Sequence, residues 1–383
     1  MDAEERARRD AVRRALAGEP VASIMAALGR SRRWVFKWLA RYQPKRAEWA
    51  RARSRAPGVV ANKSTGELEA LVLKVRARLD ADPWAQVGAS AIAWELSKLG
   101  VRPLPELRTI ERVLQRAGVR RRPERTRYVA KGTPYPAPVA PGPNALQEAD
   151  LIGPRHLAGG VLFYVLTAVD LGRHATAWEI VASKADRATA EALLRLWSRL
   201  GIPERLKLDN WLVPNLGRRL PLVVHLCLAL GVIPVFIPFA EPWRQGTVEH
   251  ANDTFDKHFF RSERFRGLRH LWNRLRRFEL FHNSHHRYAA LKGKTPDEVS
   301  ARLGFVPRRP PKDFRIPEEL PRKGQVEFIR LIRSDRLLRI MSVKIELPEA
   351  FVHEYVTAVL DVRREELDVI HRGRRVKRVK FRL

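Results

Sequence analysis

Three carboxylates occupy positions from which they could act together: Asp150 in NALQEADLIGP, Asp209 in ERLKLDN and Glu249 in EPWRQGTVEHAND. Asp150 is expected to end a strand, Asp209 to end a short buried strand, and Glu249 to open a long helix. Neighbouring strand ends and a facing helix can gather such side chains from distant sequence. The resulting cluster repels itself unless cations fill it, and its hard oxygen donors suit Mg²⁺, with Mn²⁺ as a substitute. The chemistry that needs it is phosphodiester hydrolysis and strand transfer. There, two metal ions ~3.5–4 Å apart steady the attacking and leaving oxygens of an in-line displacement.

Each acid also has a plain structural reading. Asp209 before Asn210 suits a strand-ending turn, and Asp150 before Leu-Ile-Gly-Pro suits turn chemistry. Glu249 suits a helix start, where the dipole favours an acid. Coincidence of all three explains less than a joint site. Glu241 is the reserve for Glu249, whereas Asp170, following an apolar strand, reads as structural. His282, His285 and His286 cluster near Asn283, but one cysteine and no second ligand pair leave little for zinc. They read as shaping the edge of the core or touching phosphate. Arg244 and Lys257 are placed to contact phosphates flanking a cut. Trp243 beside Pro242 could stack on an unpaired base, although packed core is the commoner fate of such a tryptophan.

The elements that would position these residues fall into distinct segments. Residues 1–55 read as a helix-turn-helix DNA-binding domain. Apolar residues recur at helical spacing, Gly29 and Ser31 suit a turn and an N-cap, and Arg32, Arg33 and Lys37 lie on the second helix of the motif. A basic three-helix bundle without groove contact is the alternative. Residues 64–119 repeat the theme as a second helix-turn-helix or winged-helix-like unit. Residues 120–143 form a basic, proline-rich linker that cannot hold a regular helix or central strand.

From 144 to 305 the pattern becomes α/β: strands first, then alternating helix and strand, which indicates a mixed sheet. Residues 306–323 form a second linker. The alternating segments of 324–383 suggest a small all-β barrel ending in a very basic strand, either touching DNA or protected against edge pairing. The fold class expected is therefore multidomain, with all-α modules, a central α/β core and a C-terminal barrel.

Composition narrows the partner. With 73 Lys and Arg against 42 Asp and Glu, the 383-residue chain carries a formal charge of +31. Self-repulsion on that scale points to a polyanion, and double-stranded DNA is the natural one. No long apolar span suggests a membrane. The charged N-terminus MDAEERARRD lacks an apolar signal region, and Cys227 alone cannot form a disulfide within the chain. A soluble, intracellular protein is expected.

The α/β region resembles the catalytic core shared by retroviral integrases and DDE insertion-sequence transposases. The resemblance spans about Asn144 to Pro296 and is carried by Asp150, the Asp209–Asn210 pair, PWRQGTVEH and the closing HNSHHRYAALKGKTP. It implies an RNase H-like fold and metal-ligand, catalytic roles for Asp150, Asp209 and Glu249. Departures are Trp211 where the family usually has Gly, Gln245–Gly246 in place of Asn-Gly, and His250 in place of Arg. The interval 249 − 209 = 40 positions is longer than usual, and an extra turn in VPNLGRRLPL could absorb it.

Retroviral integrases carry a histidine-and-cysteine zinc module that this chain cannot match. The resemblance therefore lies with the bacterial insertion-sequence branch and implies a cytoplasmic, nucleoid-associated protein. The expected function is binding of element ends, cleavage, and transfer of the 3′-OH end to target DNA by at least a dimer. Two alternatives remain: a catalytically silent, domesticated transposase acting as a DNA-binding regulator, or a related nuclease that does not transpose.

Overall fold

The computed structural model describes residues 2–52, 64–119, 132–210 and 219–383. Trp211, most of VPNLGRRLPL and the 120–131 part of the first linker lie outside the described residues. The chain divides into two compact units, Met1–Ser64 and Thr65–Leu383.

The first unit packs α1 (Ala3–Leu16), α2 (Val21–Leu28) and α3 (Arg32–Leu39) around Ala11, Ile24 and Val35. The turn between α2 and α3 follows from two residues. Gly29 adopts φ +60° at the end of α2, a left-handed conformation that lacks a Cβ penalty in glycine. Ser31 then caps α3, its hydroxyl accepting from the Trp34 amide at 3.3 Å.

The second unit opens with α4 (Gly66–Asp80), α5 (Ala89–Lys98) and α6 (Leu107–Arg116), packed around Val72, Ile92, Leu96 and Ile110. Trp84, between α4 and α5, joins these helices to the rest of the unit. Its indole donates to Glu263 at 2.7 Å, and its ring meets Phe259 and Phe278.

The core sheet begins with β1 (Leu146–His156), β2 (Leu162–Asp170) and β3 (Thr176–Val181), paired antiparallel. Helix α7 (Asp186–Leu200) leads to β4 (Arg205–Leu208), and α8 (Leu222–Ala229) leads to β5 (Ile233–Phe236). Strand β4 pairs parallel with both β1 and β5. After β5 come α9 (Gly246–Thr254), a π-helical turn over Phe255–Phe260, α10 (Leu268–His285) and α11 (Pro296–Arg302).

Alternation along the strands sorts the two faces. Ala149, Leu166, Ala168, Leu206 and Leu208 face α7 and α8, where Trp197 is fully buried and donates to Gln147 at 3.0 Å. Phe163, Val165, Val169 and Trp178 face α9, the π-turn and α10. The mixed sheet is the one expected, and helices cover both of its faces.

The C-terminal region departs from expectation. Strands β6 (Gln325–Leu331), β9 (Tyr355–Asp361), β10 (Glu366–His371) and β11 (Arg374–Lys380) do not close into a barrel. Instead β6 pairs parallel with β5 through Val235–Glu327 and Phe236–Phe328, and the sheet grows to nine strands among the described residues, ordered β11-β10-β9-β6-β5-β4-β1-β2-β3. A strand that finds an open edge in the core has no need to close on itself. The remaining pair, β7 (Leu337–Ile340) and β8 (Val343–Glu346), forms a separate hairpin whose Leu338, Ile340 and Ile345 join the larger core cluster. Among the described residues, no helix is long and apolar enough to cross a membrane.

Candidate active site

The register of two parallel strands brings the aspartates side by side. Ala149 of β1 pairs with Leu208 of β4, so the next residues along are Asp150 and Asp209. Asp150 does not end its strand, as the sequence suggested. Strand β1 runs on to His156 because β2 keeps pairing with it, with Asp150 opposite Thr167. What ends near Asp150 is only the pairing with β4. Asp209 directly follows β4, and Glu249 sits exposed in the first turn of α9, both as expected.

Asp150 lies half-buried on the α9 face of the sheet. Its Oδ1 accepts from the Leu151 amide at 2.9 Å and its Oδ2 from the Asn252 side chain at 2.8 Å. Burial raises its pKa above the usual carboxylate range. Those two hydrogen bonds oppose the shift, and the charges of Asp209 and Glu249 reinforce it. Asp150 therefore feels the charge of both other acids. Two buried acceptors beside Asp150, Asn252 Oδ1 and Thr167 Oγ1, have no partner in the described structure.

Hard oxygen donors, like-charge repulsion and unfilled acceptors fit a divalent cation in chemical type. Among the described residues, however, no three His, Cys, Asp or Glu side chains stand close enough as they are to hold one.

Asp209 and Asn210 are held by a buried hydrogen-bond network. Asp209 Oδ1 accepts from the Asn210 amide at 2.6 Å, and the Asn210 side chain donates to the Ile237 carbonyl at 2.5 Å. Arg330 of β6 donates to Asn210 Oδ1 at 2.8 Å and to the Ile237 carbonyl at 2.9 Å. Burial pushes the Arg330 pKa down to about 9, which still leaves the guanidinium charged at neutral pH.

Deeper in the site, a buried pair joins the elements. Glu148 and Lys207 are direct partners in the β1–β4 register and form an ion pair. Glu148 Oε2 also accepts from the Val248 amide of α9 at 3.0 Å. Neither residue is evident from sequence, where Glu and Lys in short strands read as solvent-facing. Their one signal is position, each two residues before an aspartate.

Other expected residues fall elsewhere. Glu241, the reserve acid, is buried and committed: it accepts from the Tyr355 hydroxyl at 2.8 Å and pairs with Arg244 at 2.9 Å. Arg244 also donates to Tyr355 and lies over the Tyr135 ring at 3.9 Å. Lys257 is exposed and pairs with Asp253 at 2.6 Å. Trp243 is 62% exposed, so the packed-core reading of this residue fails.

Asp170 is structural: it is buried, pairs with Arg173 at 2.7 Å and accepts from the Asn144 amide at 3.0 Å. His282 and His286 are buried in the edge of the core. His282 lies 2.8 Å from the Tyr288 hydroxyl, and His286 donates to the Trp84 carbonyl at 2.7 Å. In the other unit, Arg32, Arg33 and Lys37 are all exposed on α3.

Residues 2–48 match the HTH_23 family, described as a Homeodomain-like domain. No curated protein matches the chain. Among solved structures, the chain is similar to the integrase catalytic core domain of HTLV-2 in complex with magnesium. In its dimeric form the identity is 17% and the TM-score 0.33, covering 42% of this chain and 99% of that one. The trimeric form gives 18% identity and a TM-score of 0.32 over 41% and 97%. The simian T-cell lymphotropic virus intasome, in complex with PP2A regulatory subunit B56 gamma, gives 15% and 0.37 over 71% and 84%. At such TM-scores these likenesses bear no functional weight.

Proposed function

We propose that this chain is a DNA transposase or integrase of the bacterial insertion-sequence kind, which binds element ends, cuts them and joins them to target DNA. The observation that supports this most is the β1–β4 register, which sets Asp150 beside Asp209 within electrostatic reach of Glu249. The match of residues 2–48 to a homeodomain-like domain supports DNA as the substrate, with α3 as the helix that enters the major groove.

In this reading Asp150, Asp209 and Glu249 hold Mg²⁺, or Mn²⁺ in its place. Bound there, a pair of such ions would supply Lewis-acid charge stabilisation for in-line displacement at phosphorus. The chain's own residues prepare the ground. Leu151 and Asn252 orient the Asp150 carboxylate, Arg330 holds Asn210 beside Asp209, and Glu249 stands exposed in the first turn of α9. Water first breaks one phosphodiester bond and releases a 3′-hydroxyl. That hydroxyl then attacks a target phosphodiester, so one P–O bond forms as another breaks. No covalent protein intermediate is needed. Arg244 and Lys257 would act as phosphate contacts only by exchanging their present partners, Glu241 and Asp253, for DNA, and joining two ends together calls for at least a dimer.

The test is incubation with DNA taken from the two flanks of the coding region, Mg²⁺ and a target plasmid. Joined products are expected on a gel. Hydrolysis without joining would instead indicate a nuclease, and binding without cleavage a DNA-binding regulator.

A further inference from the structure

We propose that Glu148 and Lys207 are positioning residues that set the spacing of the three candidate cation ligands. The inference rests on the assignment of Asp150, Asp209 and Glu249 made above. Strand side chains alternate with period two, so Glu148 and Asp150 share one face of β1, while Lys207 stands two residues before Asp209, just inside the end of β4. Glu148 lies directly opposite Lys207 in the parallel register, and their side chains form an ion pair. The other Glu148 oxygen accepts from the Val248 amide at 3.0 Å, one residue before Glu249. A single buried pair thus touches β1, β4 and α9, each within two residues of a candidate ligand.

The chemistry of the pair agrees with this role. Glu148 is 2% exposed and Lys207 7% exposed, and burying two charges is weak evidence for stability, since apolar residues of similar shape often do as well. A one-residue slip of β4 against β1 would break the pair and shift Asp209 out of step with Asp150. The pair therefore specifies the register on which the cluster depends. Nor is Glu148 placed to serve as a fourth ligand, because one oxygen is held by Lys207 and the other by the helix. Gln245 adds a second tie, its side chain donating to the Lys207 carbonyl at 3.4 Å.

The experiment is a calorimetric titration of the full chain with Mn²⁺ alone, with a thermal melt of each sample. The samples are the wild type, Asp209→Asn, Glu148→Gln, and the charge-free double variant Glu148→Gln/Lys207→Met. The double variant guards against misfolding, because it removes both charges together. Asp209→Asn locates the Mn²⁺ signal at the cluster. Loss of a residue that orients cation ligands weakens metal affinity by roughly 10–100-fold, and that is the expected shift in Kd for both Glu148 variants.

A lowered Tm with an unchanged Mn²⁺ Kd in the double variant would mean the pair is merely structural and would overturn the proposal. Asp150, Asp209 and Glu249 would keep their assignment in that case. Absence of Mn²⁺ binding in the wild type would overturn both.

Discussion

The Asn252 side chain of α9 donates to Asp150 Oδ2 of β1 at 2.8 Å, so the helix that carries Glu249 grips the strand that carries Asp150. Asn252 is three residues beyond Glu249, hence on the same side of the helix. Replacing it with Leu removes a hydrogen bond that favours the charged form of a half-buried carboxylate. Cleavage by Asn252→Leu is expected to fall about 10–100-fold, the usual scale for residues that orient ligands, with circular dichroism unchanged. Wild-type cleavage rates would show that the grip is dispensable.

Arg330 makes a different connection. It has no carboxylate partner within the described residues. Its guanidinium donates to Asn210 Oδ1 and to the carbonyls of Ile237, Ile329 and Arg339. Arg330→Met would remove the donor of the buried Asn210 Oδ1 and one donor from each of those carbonyls. A loss of about 2–3 kcal/mol is expected, the order for hydrogen bonds to a charged group. Arg330→Lys should recover little, because an ammonium cannot reproduce the planar fork. Urea denaturation of the three proteins measures both effects.

The exposed cations of α3 make a prediction about salt. If Arg32, Arg33 and Lys37 meet phosphates, each alanine substitution should reduce the slope of log K against log salt by about 1. Fluorescence anisotropy with labelled end DNA at several NaCl concentrations reads this directly. Three unchanged slopes would leave the N-terminal unit a basic bundle that does not use this helix.

The buried histidines predict acid sensitivity. Burial lowers the His286 pKa to about 4 and also holds His282 well below the usual histidine range. An unfolded chain titrates histidine near ~6.5. Between these values the unfolded state binds a proton that the fold refuses, so stability falls as pH drops through the window. The slope is up to about 1.4 kcal/mol per pH unit for each such group. His286→Gln keeps a donor for the Trp84 carbonyl but cannot titrate, so chemical denaturation between these pH values should show its share of the slope removed. An undiminished slope would mean His286 is protonated in the fold.

Much of this was legible in sequence where local chemistry decides the outcome. Gly29 and Ser31 mark their turn because a left-handed glycine and a serine cap act within a few residues. Asp209 and Glu249 fall where periodicity places them, since a strand and a helix end beside them. Asp150 was misread as a strand end because the extent of β1 is set by β2, a non-local partner. The barrel failed for the same reason: pairing of Phe236 with Phe328 joins residues 328 − 236 = 92 positions apart, and no local pattern announces it. Glu148 and Lys207 were missed because charged residues normally mark the solvent face. Trp243 was expected in the core, yet it is exposed in the turn before α9.

The central claim is that Asp150, Asp209 and Glu249 form one cation-dependent cleavage site. It is tested most directly by comparing end binding and Mg²⁺-dependent cleavage in Asp150→Asn, Asp209→Asn and Glu249→Gln. Each variant should bind end DNA with wild-type affinity and cleave it at least about a thousandfold more slowly, a loss of about 4 kcal/mol of transition-state stabilisation. Wild-type cleavage by Asp209→Asn would contradict the claim.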